Sequence, residues 1–268
     1  MAHKVKITRK QIKQDDRFLA TIKGVTRSVI TTATDRTWLE ANRTALIAGG
    51  IALIVVVVAV GGYFLWTGHQ RAGAESLMAT ADGIFRAPVV SAEVLQKNPV
   101  LRSIGAYTDA SKKWTDAAQA YEKLAATYPR SPAGALAKFY AGNSLYELKK
   151  YEEAIADYRK YLDVAGANAP FAGLAKQSIG YAYEAEKKLP EAEKMFQELS
   201  ADAGSATAFL SLFDLARVYE KENQLDKAVE TLKKAEDSDL VKSRQFYEYR
   251  MQAEMKIAAL EARRGAAS

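Results

Sequence analysis

The chain has 268 residues, with 38 Lys+Arg against 32 Asp+Glu, a formal net charge of +6, two His and no Cys. Without Cys there is no lipobox, disulfide, thiolate nucleophile or palmitoyl anchor. The two histidines are His3 and His69. Residues 70–268 therefore lack the means for a Ser-His-Asp or Cys-His centre, a His-ligated zinc or HExxH chemistry.

The positive charge is concentrated at the N-terminal end. Residues 1–43 carry ten Lys/Arg and four acids, hence +6; the remainder carries 28 of each sign and is neutral. The pI of 9.2 is thus no nucleic-acid footprint, because the large domain has no net charge. Within the arm, Phe18, Ile22, Val25 and Val29 fall on one helical face, flanked by Lys10, Lys13, Arg17, Lys23 and Arg27. Two readings stay open there: a basic amphipathic helix on anionic headgroups, or a partly ordered tail that fixes topology.

From Ala45 to Trp66 the run ALIAGGIALIVVVVAVGGYFLW contains no charge. At 1.5 Å per residue it spans about 33 Å, the scale of a ~30 Å bilayer core. Backbone groups in lipid have to be bonded within the segment, so the run is expected to be helical. Thr37 followed by Glu40 has capping-box spacing, which starts that helix just before Trp38. Trp38, Tyr63 and Trp66 then stand at the interfaces. A cleaved signal peptide is the competing reading, with Ala72-Gly73-Ala74 as its small-x-small site, but the preceding basic region is over 40 residues long. The positive-inside rule places residues 1–43 in the cytoplasm, 44–67 across the membrane and the rest beyond it.

Residues 71–86 read as a helix, a partner for the 107–128 helix. The stretch 87–105, with Pro88 and Pro99, reads as a long loop. Downstream the pattern repeats. The segments KWTDAAQAYEKLAATYP (113–129), KYEEAIADYRKYLDVAG (150–166), KLPEAEKMFQELSADAG (188–204) and QLDKAVETLKKAEDSDL (224–240) align on Ala117, Ala154, Ala192 and Ala228. Four positions on stand Tyr121, Tyr158, Phe196 and Leu232. Twelve positions before the last three alanines stand Gly142, Gly180 and Ala216, followed by Leu145, Tyr183 and Tyr219. A small residue lets a partner backbone approach, and the large residue one turn away fills the space. One such hairpin cannot bury its apolar face alone, so neighbours stack. The 241–262 stretch reads as one helix whose stripe Tyr247, Met251, Met255 and Ala258 faces the core as a cap, with a groove for a partner as the alternative.

This pattern resembles the tetratricopeptide repeat, although Lys138 and Lys176 stand where that family often has Trp. With the apolar span, the resemblance gives an all-α chain: a single transmembrane helix followed by a tetratricopeptide-like α-solenoid over residues 106–240, then a capping helix and tail over 241–268. It implies a concave groove lined by the first helix of each pair. The positions that match are Phe139, Asn143 and Tyr146, then Gln177, Tyr181 and Glu184, then Phe213, Arg217 and Glu220. Phe139, Tyr181 and Phe213 have the alternative of contacting neighbouring pairs or the C-terminal helix. Paired acids such as Glu152-Glu153 and Asp237/Asp239 lie at solvent-facing or terminal positions and read as a solvated surface rather than a hydrolase centre. No catalytic residue, cofactor, metal site or small-molecule substrate is therefore expected.

The layout adds a second resemblance. The opening ITRKQIKQDD, the passage WLEANRTALIAGG into one span, a short helix and a repeat domain together look like the YfgM-like family. That family comprises ancillary subunits of the SecYEG translocon associated with membrane-anchored periplasmic chaperones. It implies a bacterial inner-membrane protein with a periplasmic repeat domain that holds chaperones near emerging chains. The alternative is a scaffold that coordinates cell-wall synthesis or envelope assembly.

Overall fold

The computed structural model describes residues 20, 21, 23, 36–166, 168–201, 205–242 and 246–267. The stripe Phe18, Ile22, Val25 and Val29 lies outside them. The chain divides into two compact units, residues 1–68 and 69–268.

In the first unit, α1 (Arg36–Ala41) precedes α2 (Arg43–Arg86), whose residues up to Gly68 belong to this unit. The described helix begins at Arg36, two residues before Trp38. The junction of α1 and α2 forms at Asn42, whose backbone N–H and Nδ2 both donate to the Trp38 carbonyl, at 3.0 and 2.9 Å. Along α2 the large apolar side chains from Leu46 to Trp66 are 44–79% exposed. A helix that is apolar all round and uncovered by protein needs apolar surroundings. This one is long and apolar enough to cross a bilayer.

The second unit is almost wholly helical. Its first pair sets His69–Arg86 of α2 against α5 (Ala110–Thr127), with Ala74 and Ala81 packed on Tyr121, Leu124 and Ala125. Asp82 accepts the Tyr121 hydroxyl bond at 2.6 Å. The expected loop between them is partly helical. It contains α3 (Ala92–Lys97) and α4 (Pro99–Ser103), capped by Ser91 and Asn98. Its ends are tied by two backbone bonds, Val90 N–H to Tyr107 O and Tyr107 N–H to Pro88 O. Ser and Asn at N-caps and Pro at N1 supply the local reason that periodicity alone missed.

Three further pairs follow: α6 (Pro132–Glu147) with α7 (Tyr151–Ala165), α8 (Ala172–Ala185) with α9 (Leu189–Ser200), and α10 (Ala206–Lys221) with α11 (Leu225–Glu236). Ser131 and Ser205 cap α6 and α10 by accepting from Gly134 and Ala208 N–H. The turn inside each pair is the same. Lys149, Lys187 and Asn223 take φ of 61°, 62° and 59°. The next residue donates back five positions, Lys150 to Leu145, Lys188 to Tyr183 and Gln224 to Tyr219. That is the Schellman closure, and it satisfies the terminal carbonyls of each first helix.

The repeat anchors form the core. Ala117, Ala154, Ala192 and Ala228 are all 0% exposed, and Tyr121, Tyr158, Phe196 and Leu232 lie beside them at 1% or less. At Gly142 a β-carbon would lie 2.7 Å from the Tyr158 ring, and at Gly180 2.6 Å from the Phe196 ring. Only glycine permits that approach without displacing an aromatic. Lys138, standing where the family often has Trp, reaches across to Glu122 and Asp157.

After the 3₁₀ turn Asp239–Lys242, the last helix α12 (Tyr247–Ala267) closes the stack. Here the expected inward stripe is corrected. Ala253, Ile257 and Leu260 are buried against α10 and α11, whereas Tyr247, Met251, Met255 and Ala258 are exposed. Two stripes of α12 have helical spacing. The one carrying branched Ile257 and Leu260 fills the end of the core.

Candidate protein-binding groove

The first helices α6, α8 and α10 place a row of side chains on one face. Asn143 and Tyr146 come from α6, Ser178, Tyr181 and Glu184 from α8, and Arg217 and Lys221 from α10. Two depressions run along this face. One, of about 270 Å³, is walled by Phe85, Trp114, Asn143, Tyr146 and Tyr181 among others. The other, of about 450 Å³, is walled by Tyr146, Tyr181, Glu184, Arg217 and Lys221. Tyr146 and Tyr181 belong to both, so the two form one trough.

The floor at one end is a closed polar network. Arg217 grips Glu184 with a two-pronged fork, Nε to Oε1 and Nη2 to Oε2, both 2.8 Å. Its Nη1 donates to Asp214 at 2.8 Å, and Lys221 adds a contact to Glu184 at 2.8 Å. Gln177 donates to Asp214 at 2.7 Å and to the Tyr181 hydroxyl at 2.9 Å. The Arg217 guanidinium also lies 5.4 Å from the Tyr181 ring centre. Burial would raise the Glu184 carboxyl, but the two cations outweigh it and hold it below the usual carboxylate range. The Glu184 bonds push Arg217 upward, so the pair stays charged at neutral pH. Planar, pre-oriented guanidinium groups suit such fixed forks.

The other end is aromatic. The Tyr158 hydroxyl donates to Asn143 Oδ1 at 2.9 Å, which orients the amide and keeps Nδ2 as its donor. Tyr146 is half-buried and set edge-on to Tyr151, ring centres 5.2 Å apart. Phe85 meets Trp114 edge-on at 5.3 Å.

Of the nine residues assigned to the groove by repeat register, six converge here: Asn143, Tyr146, Gln177, Tyr181, Glu184 and Arg217. Gln177 is buried beneath the surface and supports it. Three go elsewhere. Phe139 is 6% exposed and packs on Tyr158, Tyr161 and Phe171 inside the core. Phe213 packs against Phe209 and Tyr249 of the cap. Glu220 pairs with Arg263 of α12. For Phe139 and Phe213 it is the alternative, contact with neighbouring elements, that the structure shows; Tyr181 does both, its hydroxyl donating to Asp214 of α10 at 3.0 Å while the residue lines both depressions. Further contributors lie outside that register, Ser178 of α8 among them. Phe85 and Trp114 come from the first, irregular pair, and Asp214 and Lys221 lie three residues before and four after Arg217, one turn away on α10.

A larger hollow of about 520 Å³ lies between the second helices α5 and α7. Its charges are satisfied internally by the Glu122–Lys138–Asp157–Lys160 chain and the Lys150–Glu153 pair. Burial opposes the Lys138 charge, but its two acids prevail and raise it. Glu122 has one cation against burial and the nearby Asp157, so its carboxyl is raised.

Two segments match tetratricopeptide-repeat families, residues 109–173 and residues 210–240. A search of curated proteins found no match. Among solved structures, similar chains include the nearly identical TPR-like repeats of a Podosopora anserina protein assigned to kinesin light chain. It is 16% identical, covers 58% of this chain and 81% of its own, and has a TM-score of 0.48. BtubC (BKLC) from P. vanneervenii is 13% identical over 72% of this chain and 84% of its own, with a TM-score of 0.45. The paired helices, the small-to-large packing and the two matched segments agree: residues 109–173 and 210–240 are tetratricopeptide repeats, which indicate a protein-interaction scaffold, and the helix pairs around them continue the same packing.

Proposed function

We propose that the protein is a membrane-anchored scaffold whose trough receives an extended segment of a partner protein. The observation that carries this is the row Asn143, Tyr146 and Tyr181 beside the fixed Arg217–Glu184 fork. Partly exposed rings give contact area, an oriented amide donates to a peptide carbonyl, and the fork needs no ordering on binding. Aromatic and Arg-rich surfaces of this kind are where interface energy concentrates.

Anchorage is supported by the uncovered apolar helix and by the one-sided charge of residues 1–43. Ala74, within the Ala72-Gly73-Ala74 site, is buried against α5, which favours a retained anchor over cleavage there. The charge asymmetry supports a cytoplasmic arm and a repeat domain on the periplasmic side of a bacterial inner membrane. Together with the layout, it supports a role beside the SecYEG translocon with membrane-held chaperones. Affinity purification in mild detergent, followed by mass spectrometry, tests this. Translocon or chaperone subunits lost on Tyr146→Ala are the expected result, and recovery of cell-wall synthases alone would replace this reading with the envelope-synthesis one. A phosphatase joined after Ser268 should be active; inactivity would reverse the orientation.

A further inference from the structure

The outer face of α12 is apolar where a solenoid end should be polar. Terminal repeats keep such stacks soluble by presenting a polar surface. Here Tyr247, Met251 and Met255 are 55%, 39% and 63% exposed, and Ala258 and Ala262 are exposed beside them. The inner flanks of α12 are already fastened, Arg263 to Glu220, Arg264 to Asp226 and Glu261 to Lys233. The helix is therefore held with this face outward, uncovered by any described residue.

Met251, Met255, Ala258 and Ala262 recur at intervals of four, three and four. That is the spacing of a seam that packs against another helix. The order of sizes, Met, Met, Ala, Ala, then selects the occupant. With two copies antiparallel about a two-fold axis between positions 256 and 257, Met251 faces Ala262 of the second copy and Met255 faces Ala258. Every layer then holds one large and one small side chain, the arrangement that fills a helix interface evenly. A parallel pair would set Met on Met at one end and Ala on Ala at the other, crowded in one place and hollow in the other. The borders do not oppose the pairing. Glu254 and Glu261 are each neutralised within their own chain, by Arg250 and Lys233, and the opposite border carries uncharged Gln252 and Ala259 with one exposed acid, Glu248, at its N-terminal end, which this register sets beside Gly265 of the second copy rather than beside another acid.

We propose that this face binds a second copy of the chain, α12 against α12 in antiparallel register. The seam is short, so the pair is weak and is best trapped covalently. Because the chain has no Cys, single cysteines report the register directly. The test uses the purified full-length chain in mild detergent, so it does not depend on which membrane or partner the protein has. In the pair the two Met255 positions are three residues apart along the axis, about 4.5 Å, and the two Tyr247 positions nineteen, about 28 Å. Met255→Cys should give a covalent dimer on mild oxidation, and Tyr247→Cys at least tenfold less. Adding Ala258→Glu to Met255→Cys should cut the dimer at least tenfold with the helical circular dichroism unchanged. A dimer from Tyr247→Cys equal to that from Met255→Cys would overturn the antiparallel register. No dimer from Met255→Cys over a range of concentrations, or one indifferent to Ala258→Glu, would overturn the self-association.

Discussion

Gly142 and Tyr158 are in direct contact: a β-carbon on the glycine would stand 2.7 Å from the tyrosine ring. The same ring carries the hydroxyl that orients Asn143 in the trough, at 2.9 Å. Repeat packing and the binding surface thus share one side chain.

Gly142→Ala is expected to destabilise the domain. Alanine gains about 1 kcal/mol in helix propensity, but overpacking against a fixed ring costs about 1–3 kcal/mol. Urea unfolding should show a net loss, and partner capture should fall with it because Asn143 shifts. Gly180→Ala, 2.6 Å from Phe196, should show the stability loss. A gain in stability at either position would contradict the close approach.

Lys149→Gly and Lys187→Gly should each stabilise. Both lysines sit at φ near 60°, where a β-carbon costs on the order of 1 kcal/mol. Glycine's greater freedom in the unfolded chain offsets part of that. A rise in Tm is expected for both. It should be smaller for Asn223→Gly, since asparagine tolerates this conformation better.

Glu184→Gln should cost about 2 kcal/mol, below the full cost of splitting a buried pair because Arg217 is partly exposed and keeps Asp214. The native Glu184 carboxyl lies below its usual value. Its contribution is therefore present above the ordinary glutamate pKa of about 4.3 and is lost as pH falls through the lower folded value. Glu122 acts in the opposite sense. Its raised carboxyl takes up a proton in the folded state first, so stability from that group rises as pH falls through the raised value. Acid titration of the two Gln variants should separate these limbs: Glu184→Gln flattens the acid-side loss, and Glu122→Gln steepens it.

Tyr146→Ala is expected to weaken partner binding by roughly tenfold or more, on the order of 1–3 kcal/mol for an aromatic interface residue. Its stability cost should be clearly smaller than at Phe139, because Tyr146 is only partly buried at the edge of the core. Phe139→Ala should do the reverse, costing about 3–5 kcal/mol of stability as a buried aromatic. Denaturation and pull-down measured side by side check both. Equal stability losses would mean that Tyr146 is core rather than trough.

How much of this was legible beforehand differs by element. The alternation of Ala154 with Tyr158 and Ala192 with Phe196 is visible as a spacing, because stacked hairpins impose one small-to-large contact per repeat. The Lys149, Lys187 and Asn223 turns were not visible. Left-handed positions are usually marked by glycine, and here the backbone closure holds ordinary residues in that conformation.

The sequence by itself determined the apolar span, the one-sided charge and the paired-helix architecture, since each rests on local composition or on a period that survives without coordinates. Tertiary structure alone decided which side of α12 turned inward. Tyr247/Met251/Met255 and Ala253/Ile257/Leu260 both have helical spacing, and only the shape left open by α10 and α11 chooses between them. It also decided the trough. Phe85 and Trp114 join Tyr146 and Tyr181 from outside the repeat register, and Phe139 leaves it because Phe171 and Tyr161 close over its ring. Periodicity names a face of a helix; what that face meets depends on neighbours distant in the chain.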